Sequence, residues 1–251
     1  MSTTNKPAFY FSRNLLSFFE LHFKKIILVI VLLTSVFLIQ EWRDNNTKKE
    51  AKKVSQIFYV IQKKIKNKEN QLIEKNTVKN AKFKKTKKKY VFKKTKKILK
   101  NNFSSLVTEY KSLLQQNHKT TIFFGSSLNL AKFLSDYKDF ASSAEVLLQA
   151  SKKVKENSLF YPLIFQALGL SYLKLGQYSK AAKAFVTITS KKKAFLFIQP
   201  SSLLNLSLSY FQLKKWKLLK ESISTLEANY PQSSEASTAQ AIKRYLILKN
   251  K

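Results

Sequence analysis

The sequence predicts an all-α protein, with one N-terminal transmembrane helix followed by an α-solenoid of about three helix pairs and a C-terminal capping helix. Three observations carry this prediction. An uncharged apolar run lies near the N-terminus, and three similar segments recur at an offset of 38 residues in the C-terminal half. Glycine and proline are scarce, at three and four in 251 residues. So few turn formers argue against an all-β fold and favour long helices.

The first element is the apolar run of residues 26–39, which contains no charged side chain. Lys24 and Lys25 precede it and Trp42 follows it, and these residue types anchor helices at membrane interfaces. Counted over residues 22–42, a helix rising about 1.5 Å per residue spans roughly 30 Å, the thickness of the hydrocarbon layer. No small-residue cleavage site follows, so we expect an uncleaved anchor. Lys and Arg flank it almost equally, and charge alone allows either orientation.

A tail, a stalk and a linker complete the N-terminal part. Residues 1–21 form the tail before the anchor. Apolar positions at steps of three and four within residues 43–74 predict a helical stalk. Residues 75–100 hold thirteen lysines and no acidic residue. We interpret them as a solvated linker, with contact to anionic lipid or to single-stranded nucleic acid as alternatives. A helix over residues 104–115 then opens the repeat domain, residues 101–251.

Composition argues against several classes of function. The net charge is +33, but 44 of the 47 basic residues are lysine, whereas base and phosphate recognition relies on the forked guanidinium of arginine. Nucleic acid is therefore not the expected partner. Cysteine is absent, the two histidines stand apart, and Asp136 and Asp139 flank a predicted turn. No glycine-rich phosphate loop occurs. We expect no enzyme activity, no cofactor and no metal.

The strongest signal is the repeat, because its three copies align position by position. Each copy has a leucine, a small residue, a tyrosine or leucine, and an aromatic residue: Leu130, Ala131, Leu134 and Phe140; Leu168, Gly169, Tyr172 and Tyr178; Leu206, Ser207, Tyr210 and Trp216. Each reads as two helices joined by a turn, at Lys138, Gly176 and Lys214. A fixed period of this size is typical of stacked helix pairs that share one core. After Pro231, a serine-capped helix is predicted to close the array.

The middle copy resembles the tetratricopeptide repeat. The residues that carry the resemblance are Leu168, Gly169, Tyr172, Gly176, Tyr178, Ala181 and Phe185. The outer copies depart from it, with lysine at the turn glycine and with Ser143 and Leu219 in place of the alanine. The period is 38 residues, longer than the family's period of about 34. The resemblance covers residues 119–231.

The whole layout resembles one bacterial group, the ancillary inner-membrane subunit of the Sec translocon and related periplasmic chaperone-like proteins. This resemblance implies a single-pass inner-membrane protein with its repeats in the periplasm. It also implies protein binding, with translocon subunits or secreted clients as partners beside membrane lipid. The lysine-rich segment departs from the group. A cytoplasm-facing scaffold, or a tether to anionic lipid or nucleic acid through residues 75–100, remain the alternatives.

The tetratricopeptide resemblance also implies where a peptide would bind, since the first helices of each pair line a concave groove. Ten positions carry over as peptide-groove candidates: Lys132, Ser135, Asp136, Gln166, Leu170, Leu173, Lys174, Leu208, Phe211 and Gln212. Their mixture of apolar side chains and a few lysines suits an extended or helical peptide segment.

Overall fold

The computed structural model describes residues 8–81, 95–117, 120–190 and 195–249, with the side chains of 8–33, 36, 44, 76–81 and 245–249 left out. Within these ranges the chain is helical and contains no strand, which confirms the all-α prediction. The helices are α1 (Ala8–Ala81), α2 (Lys96–Gln116), α3 (Thr121–Asp136), α4 (Phe140–Ser151), α5 (Phe160–Lys174), α6 (Tyr178–Thr189), α7 (Gln199–Gln212), α8 (Trp216–Asn229) and α9 (Ser234–Lys249).

The chain divides into two compact units, Met1–Lys53 and Val54–Lys251. The first unit is helical from Ala8 onward. In the part of the chain that is described, no helix is long and apolar enough for a membrane crossing. Most side chains of the predicted span, Lys24 and Lys25 among them, lie outside the described residues, so the span stays a prediction. Trp42 is described and is exposed.

Within the second unit, residues 54–74 of the segment predicted as a stalk belong to the folded domain. Phe58, Ile61 and Ile65 of α1 are buried in the same apolar cluster as Leu99 and Phe103 of α2. The apolar stripe predicted for this segment is therefore the face that packs, rather than one side of a free-standing helix. Burying such a face stabilises a helix more than its intrinsic propensity does.

The lysine-rich linker is shorter than predicted where the structure describes it. Helix α2 begins at Lys96 rather than near residue 104, because the Thr95 hydroxyl accepts a hydrogen bond from the Ile98 N–H and Leu99 continues the apolar face. Residues 75–81 extend α1. The remaining part of the predicted linker, residues 82–94, lies outside the described residues.

Polar contacts fix how α1 docks. The Tyr137 hydroxyl donates to Glu69 Oε1 at 2.9 Å, and Gln62 Nε2 donates to the Tyr110 hydroxyl at 2.9 Å. Burial raises the pKa of Tyr137 and the Glu69 carboxylate raises it further, so the phenol stays protonated and keeps donating. These bonds favour the observed register of the part of α1 in the second unit, because an unpaired buried hydroxyl costs free energy.

The acidic pair noted in the sequence has structural roles. Asp136 pairs with Lys132 at 3.2 Å, one helical turn away. Asp139 occupies the N-cap position of α4, and Lys96 Nζ lies 3.0 Å from its Oδ1. Burial acts to raise the pKa of Asp139, but Lys96 and Ser142 outweigh it and the pKa is lowered. The carboxylate therefore ties the start of α2 to the first turn of the repeat array.

Helices α3 to α9 pack in chain order, each against its neighbours in sequence, and α3 also meets α5, and α5 meets α7. This arrangement is that of an α-solenoid. The aromatic residues predicted to follow each turn are the first residues of α4, α6 and α8. The aligned leucines Leu130, Leu168 and Leu206 are all buried. The 38-residue offset thus corresponds to one helix pair.

The three turns share one backbone geometry. Lys138, Gly176 and Lys214 adopt left-handed φ angles of 64°, 72° and 55°. After each of them, the next N–H bonds to a carbonyl five residues back, for example Gln177 to Tyr172 at 2.9 Å. This is the Schellman pattern that ends helices, and glycine is the residue that adopts it without steric cost.

In the second and third pairs, the small residue of the first helix lies at a close contact between the two helices. A Cβ built on Gly169 would lie 2.6 Å from two ring atoms of Phe185 on α6. The Phe185 ring is fully buried and has no room to retreat. In the third pair, Ser207 occupies this position and its hydroxyl lies 2.8 Å from that of Ser222. Larger side chains at these two positions would meet the facing helix.

The last helix closes the array as predicted. The Ser233 hydroxyl accepts a hydrogen bond from the Ala236 N–H at 3.1 Å, which caps α9. Ala236 and Ala239 are buried against α7 and α8, and Ile242 packs on the same cluster. The side chain of Leu246, also predicted to face inward, lies outside the described residues.

We expect Gly169→Ala to lower the free energy of unfolding by about 1–3 kcal/mol, because the new methyl group meets the Phe185 ring. Gly125→Ala is the matched control, since its Cβ would lie an ordinary 3.6 Å from Phe160. That helical position should gain roughly 0.5–1 kcal/mol from the better helix former. Chemical denaturation followed by circular dichroism measures both, and equal responses of the two glycines would contradict the close approach.

A second prediction concerns the turns. Gly176→Ala should cost about 1 kcal/mol through its left-handed backbone alone, because no atom lies within 4 Å of the added Cβ. Lys214→Gly should leave stability unchanged or raise it by up to about 1 kcal/mol. The same denaturation experiment tests both, and a stabilising Gly176→Ala would refute the shared geometry.

Candidate functional site

The principal candidate site is a groove between α3 and α5 with a volume of about 630 Å³. Its floor comes from α4, through Phe140, Ser143 and Leu147. The lining residues are Leu128, Asn129, Ala131, Lys132, Ser135, Asp136, Lys138, Phe140, Ser143, Leu147, Ala167, Leu170, Ser171 and Lys174. We call this surface the α3–α5 groove. It exists because equivalent first helices of two successive pairs lie side by side.

Half of the ten predicted positions line this groove: Lys132, Ser135, Asp136, Leu170 and Lys174. The other five lie elsewhere. Gln166 bridges α5 and α7, accepting from the Ser202 hydroxyl at 2.7 Å and donating to Ser201 at 3.2 Å. Leu173 packs against the cluster formed by Ala181, Phe185 and neighbouring residues.

The three positions predicted from the third pair lie on α7. Leu208 is half-buried, and Gln212 is exposed at the last turn of the helix. The Phe211 ring meets the edge of Trp216 at 6.0 Å between centroids. The resemblance predicted one continuous groove, and the described cavity instead joins only the first two pairs.

The groove also contains residues that the resemblance did not supply. Leu128 and Asn129 lie four and three residues before Lys132, so helical periodicity alone places them beside it. Phe140, Ser143 and Leu147 come from α4. Whether these side chains reach the groove depends on how deeply α4 lies between α3 and α5. The sequence pattern does not specify that depth.

A chain of serine hydroxyls forms the polar part of the floor. Ser135 Oγ donates to Ser143 Oγ at 2.9 Å, and Ser143 Oγ lies 3.1 Å from Ser171 Oγ. Ser171 donates to the Ala167 carbonyl at 3.0 Å, so its hydroxyl accepts from Ser143. The chain is internally satisfied and links α3, α4 and α5 at their common contact.

The rim of the groove is basic. Its charged side chains are three lysines, Lys132, Lys138 and Lys174, and one carboxylate, Asp136, which pairs with Lys132. The rest of the lining is mainly apolar, and Leu170 exposes 39% of its surface. Such a surface offers hydrophobic contact area with positive charge at its edge, which suits an apolar segment flanked by acidic groups.

No protein-family model matches this sequence, and no curated protein matches it significantly. The groove must therefore be interpreted from its own chemistry. Among the described side chains, no three His, Asp or Glu residues lie together as a metal ligand set.

Proposed function

We propose that this protein is a membrane-anchored, protein-binding adaptor or chaperone-like subunit whose tetratricopeptide-like array holds peptide segments of its partners. The observation that carries the proposal is the α3–α5 groove, with its apolar lining and lysine rim. Grooves between packed helices bind amphipathic segments through a few apolar anchors. No reaction and no cofactor are part of this proposal.

The bound segment is apolar with acidic residues at its flanks. Leu128, Phe140 and Leu170 offer contacts for apolar side chains, while Lys138 and Lys174 attract carboxylates at the rim. Electrostatic complementarity of this kind mainly raises the association rate and selects among partners, while the apolar contacts supply most of the affinity. A basic segment would meet like charges at the rim.

The proposed location rests on the sequence of the first unit. Residues 22–42 serve as the anchor, with Lys24, Lys25 and Trp42 at its interfaces. We place the array on the outer side of a bacterial inner membrane, where translocon subunits or secreted clients are the partners. A cytoplasm-facing scaffold is the competing orientation, because the basic residues on the two flanks are balanced.

Peptide binding is tested with full-length protein in zwitterionic nanodiscs and two labelled peptides. Both carry the same leucine pattern, one flanked by glutamates and one by lysines. We expect the acidic peptide to bind more tightly and its affinity to fall with added salt. Lys174→Glu should weaken it about fivefold, corresponding to roughly 1 kcal/mol for a partly exposed charge. Fluorescence anisotropy measures these affinities.

The matched control separates the groove from the rest of the surface. Leu170→Asp should weaken binding strongly, whereas Val186→Asp on α6 should not. The two substitutions are comparable because the side chains are exposed to nearly the same extent, 39% and 40%. Equal effects of both substitutions, or tighter binding of the lysine-flanked peptide, would rule out the groove as the binding site.

The side of the membrane is tested with a reporter fused after Lys251 that is active only outside the cytoplasm. We expect an active reporter, together with membrane association that survives alkaline extraction, because a spanning helix is not released by high pH or salt. An inactive reporter in a membrane-integrated protein would exclude the translocon-associated chaperone and favour the cytoplasmic scaffold.

A further inference from the structure

A second surface lies at the edge of the array where the connections between successive helix pairs meet. Leu159, Leu196 and Phe197 expose 80%, 60% and 65% of their surfaces. Single exposed apolar residues are ordinary, but three at one edge are not. Leu159 and Phe197 are also related by the 38-residue repeat offset. We call Lys152, Lys153, Lys155, Leu159, Leu196 and Phe197 the loop edge.

The contacts around these residues bring the two connections together. The Tyr161 and Phe195 rings stack with centroids 5.8 Å apart, which joins the start of α5 to the segment before α7. Gln166 bonds to Ser201 and Ser202, so α5 and α7 run side by side in the same direction. Their N-terminal ends therefore lie at the same edge of the domain.

The exposed side chains do nothing evident for folding. Leu159 occupies the N-cap position of α5, where serine, aspartate or asparagine would bond to the helix, and it makes no capping bond. It is also the most exposed of the large apolar side chains that the structure describes. The start of α5 is bonded instead by Ser158, whose hydroxyl accepts from the Phe160 N–H at 3.2 Å, so the exposed Leu159 side chain points to a role outside the fold.

Basic residues lie in the same connection as Leu159. Lys152, Lys153 and Lys155 are exposed in the α4–α5 connection beside a single acidic residue, Glu156. Lys153 Nζ lies 5.6 Å from the centre of the Phe123 ring, which keeps its charge at the start of α3. Exposed leucine and phenylalanine side chains beside lysines combine apolar tips with positive charge. They match the interfacial layer of a membrane, which accepts apolar tips without shape complementarity and attracts cations to anionic headgroups.

We propose that the loop edge is a peripheral docking surface for an anionic lipid bilayer. Leu159, Leu196 and Phe197 enter the headgroup and upper acyl region, and the lysines contact lipid phosphates. Each lysine near an anionic surface strengthens binding about fivefold, and the effect falls with salt over about a Debye length. The surface is distinct from the α3–α5 groove and does not depend on what that groove binds.

The absence of native cysteine permits a single-site probe. Full-length protein carrying Asn157→Cys, labelled with an environment-sensitive dye, is held in zwitterionic nanodiscs. It is then mixed with separate vesicles of phosphatidylcholine alone or of an equal mixture with phosphatidylglycerol. We expect a blue shift and brighter emission with the anionic vesicles only, reversed by salt. Ser179→Cys, exposed at the opposite end of the α5–α6 pair, is the control and should not respond.

Two sets of substitutions complete the test. Leu159→Ser with Phe197→Ser should abolish the response of the Asn157 probe, and Lys152→Gln with Lys155→Gln should weaken it tenfold or more by the same per-lysine estimate. All four side chains are exposed, so circular dichroism should show unchanged helix content. An equal response at Asn157 and Ser179, no response to anionic vesicles, or a response that survives loss of both apolar side chains would overturn the proposal. Because the probe sits on the array, each result is independent of the anchor and of peptide binding.

Discussion

The close approach of the two helices in each pair is the constraint on which the rest of the array depends. At Gly169 the helix backbone meets the Phe185 ring so closely that even a methyl group does not fit. Once that separation is set, the second helix sits deep enough for its neighbours on both sides to pack, and the first helices come to lie side by side. The α3–α5 groove is the space left between two such helices, and the small residue of the first pair, Ala131, is itself part of its lining.

The domain does not begin with the repeats. Part of α1 and all of α2 pack against the first pair, and polar bonds such as that from Tyr137 to Glu69 select one register for them. A solenoid has two open ends, and each end must be covered by something unlike a repeat. Here the N-terminal cover is built from α1 and α2, and α9 covers the other end with small alanine side chains.

Much of the array could be predicted from the sequence, because each structural position recurs in all three copies of the repeat. The turns, the small residue at the close approach, the aromatic that opens each second helix and the serine cap of α9 were all predicted by residue. The sequence did not predict what residues 54–73 of α1 pack against. An amphipathic stripe shows that one face of a helix is buried, but it does not identify the element that covers this face. Five of the ten peptide-groove candidates line the α3–α5 groove. Helix position identifies which side chains face outward, whereas the depth of α4 decides which of them share one cavity. The loop edge could not be predicted from the sequence. It is defined by which apolar side chains are exposed, and the periodicity of the sequence does not show that.

Among the described residues, the buried apolar side chains form three clusters, which the partly buried Tyr172 and Tyr210 connect. The largest cluster runs from α1 to the start of α7, and a smaller one holds α7, α8 and α9 together at the C-terminal end. In a quasi-linear array, such a division lets the small end open while the remainder stays intact. Amide protons of α8 and α9 should therefore exchange with solvent well before those beneath the groove. A partially frayed molecule would then retain its binding surface, and proteases would shorten the chain from its C-terminus first.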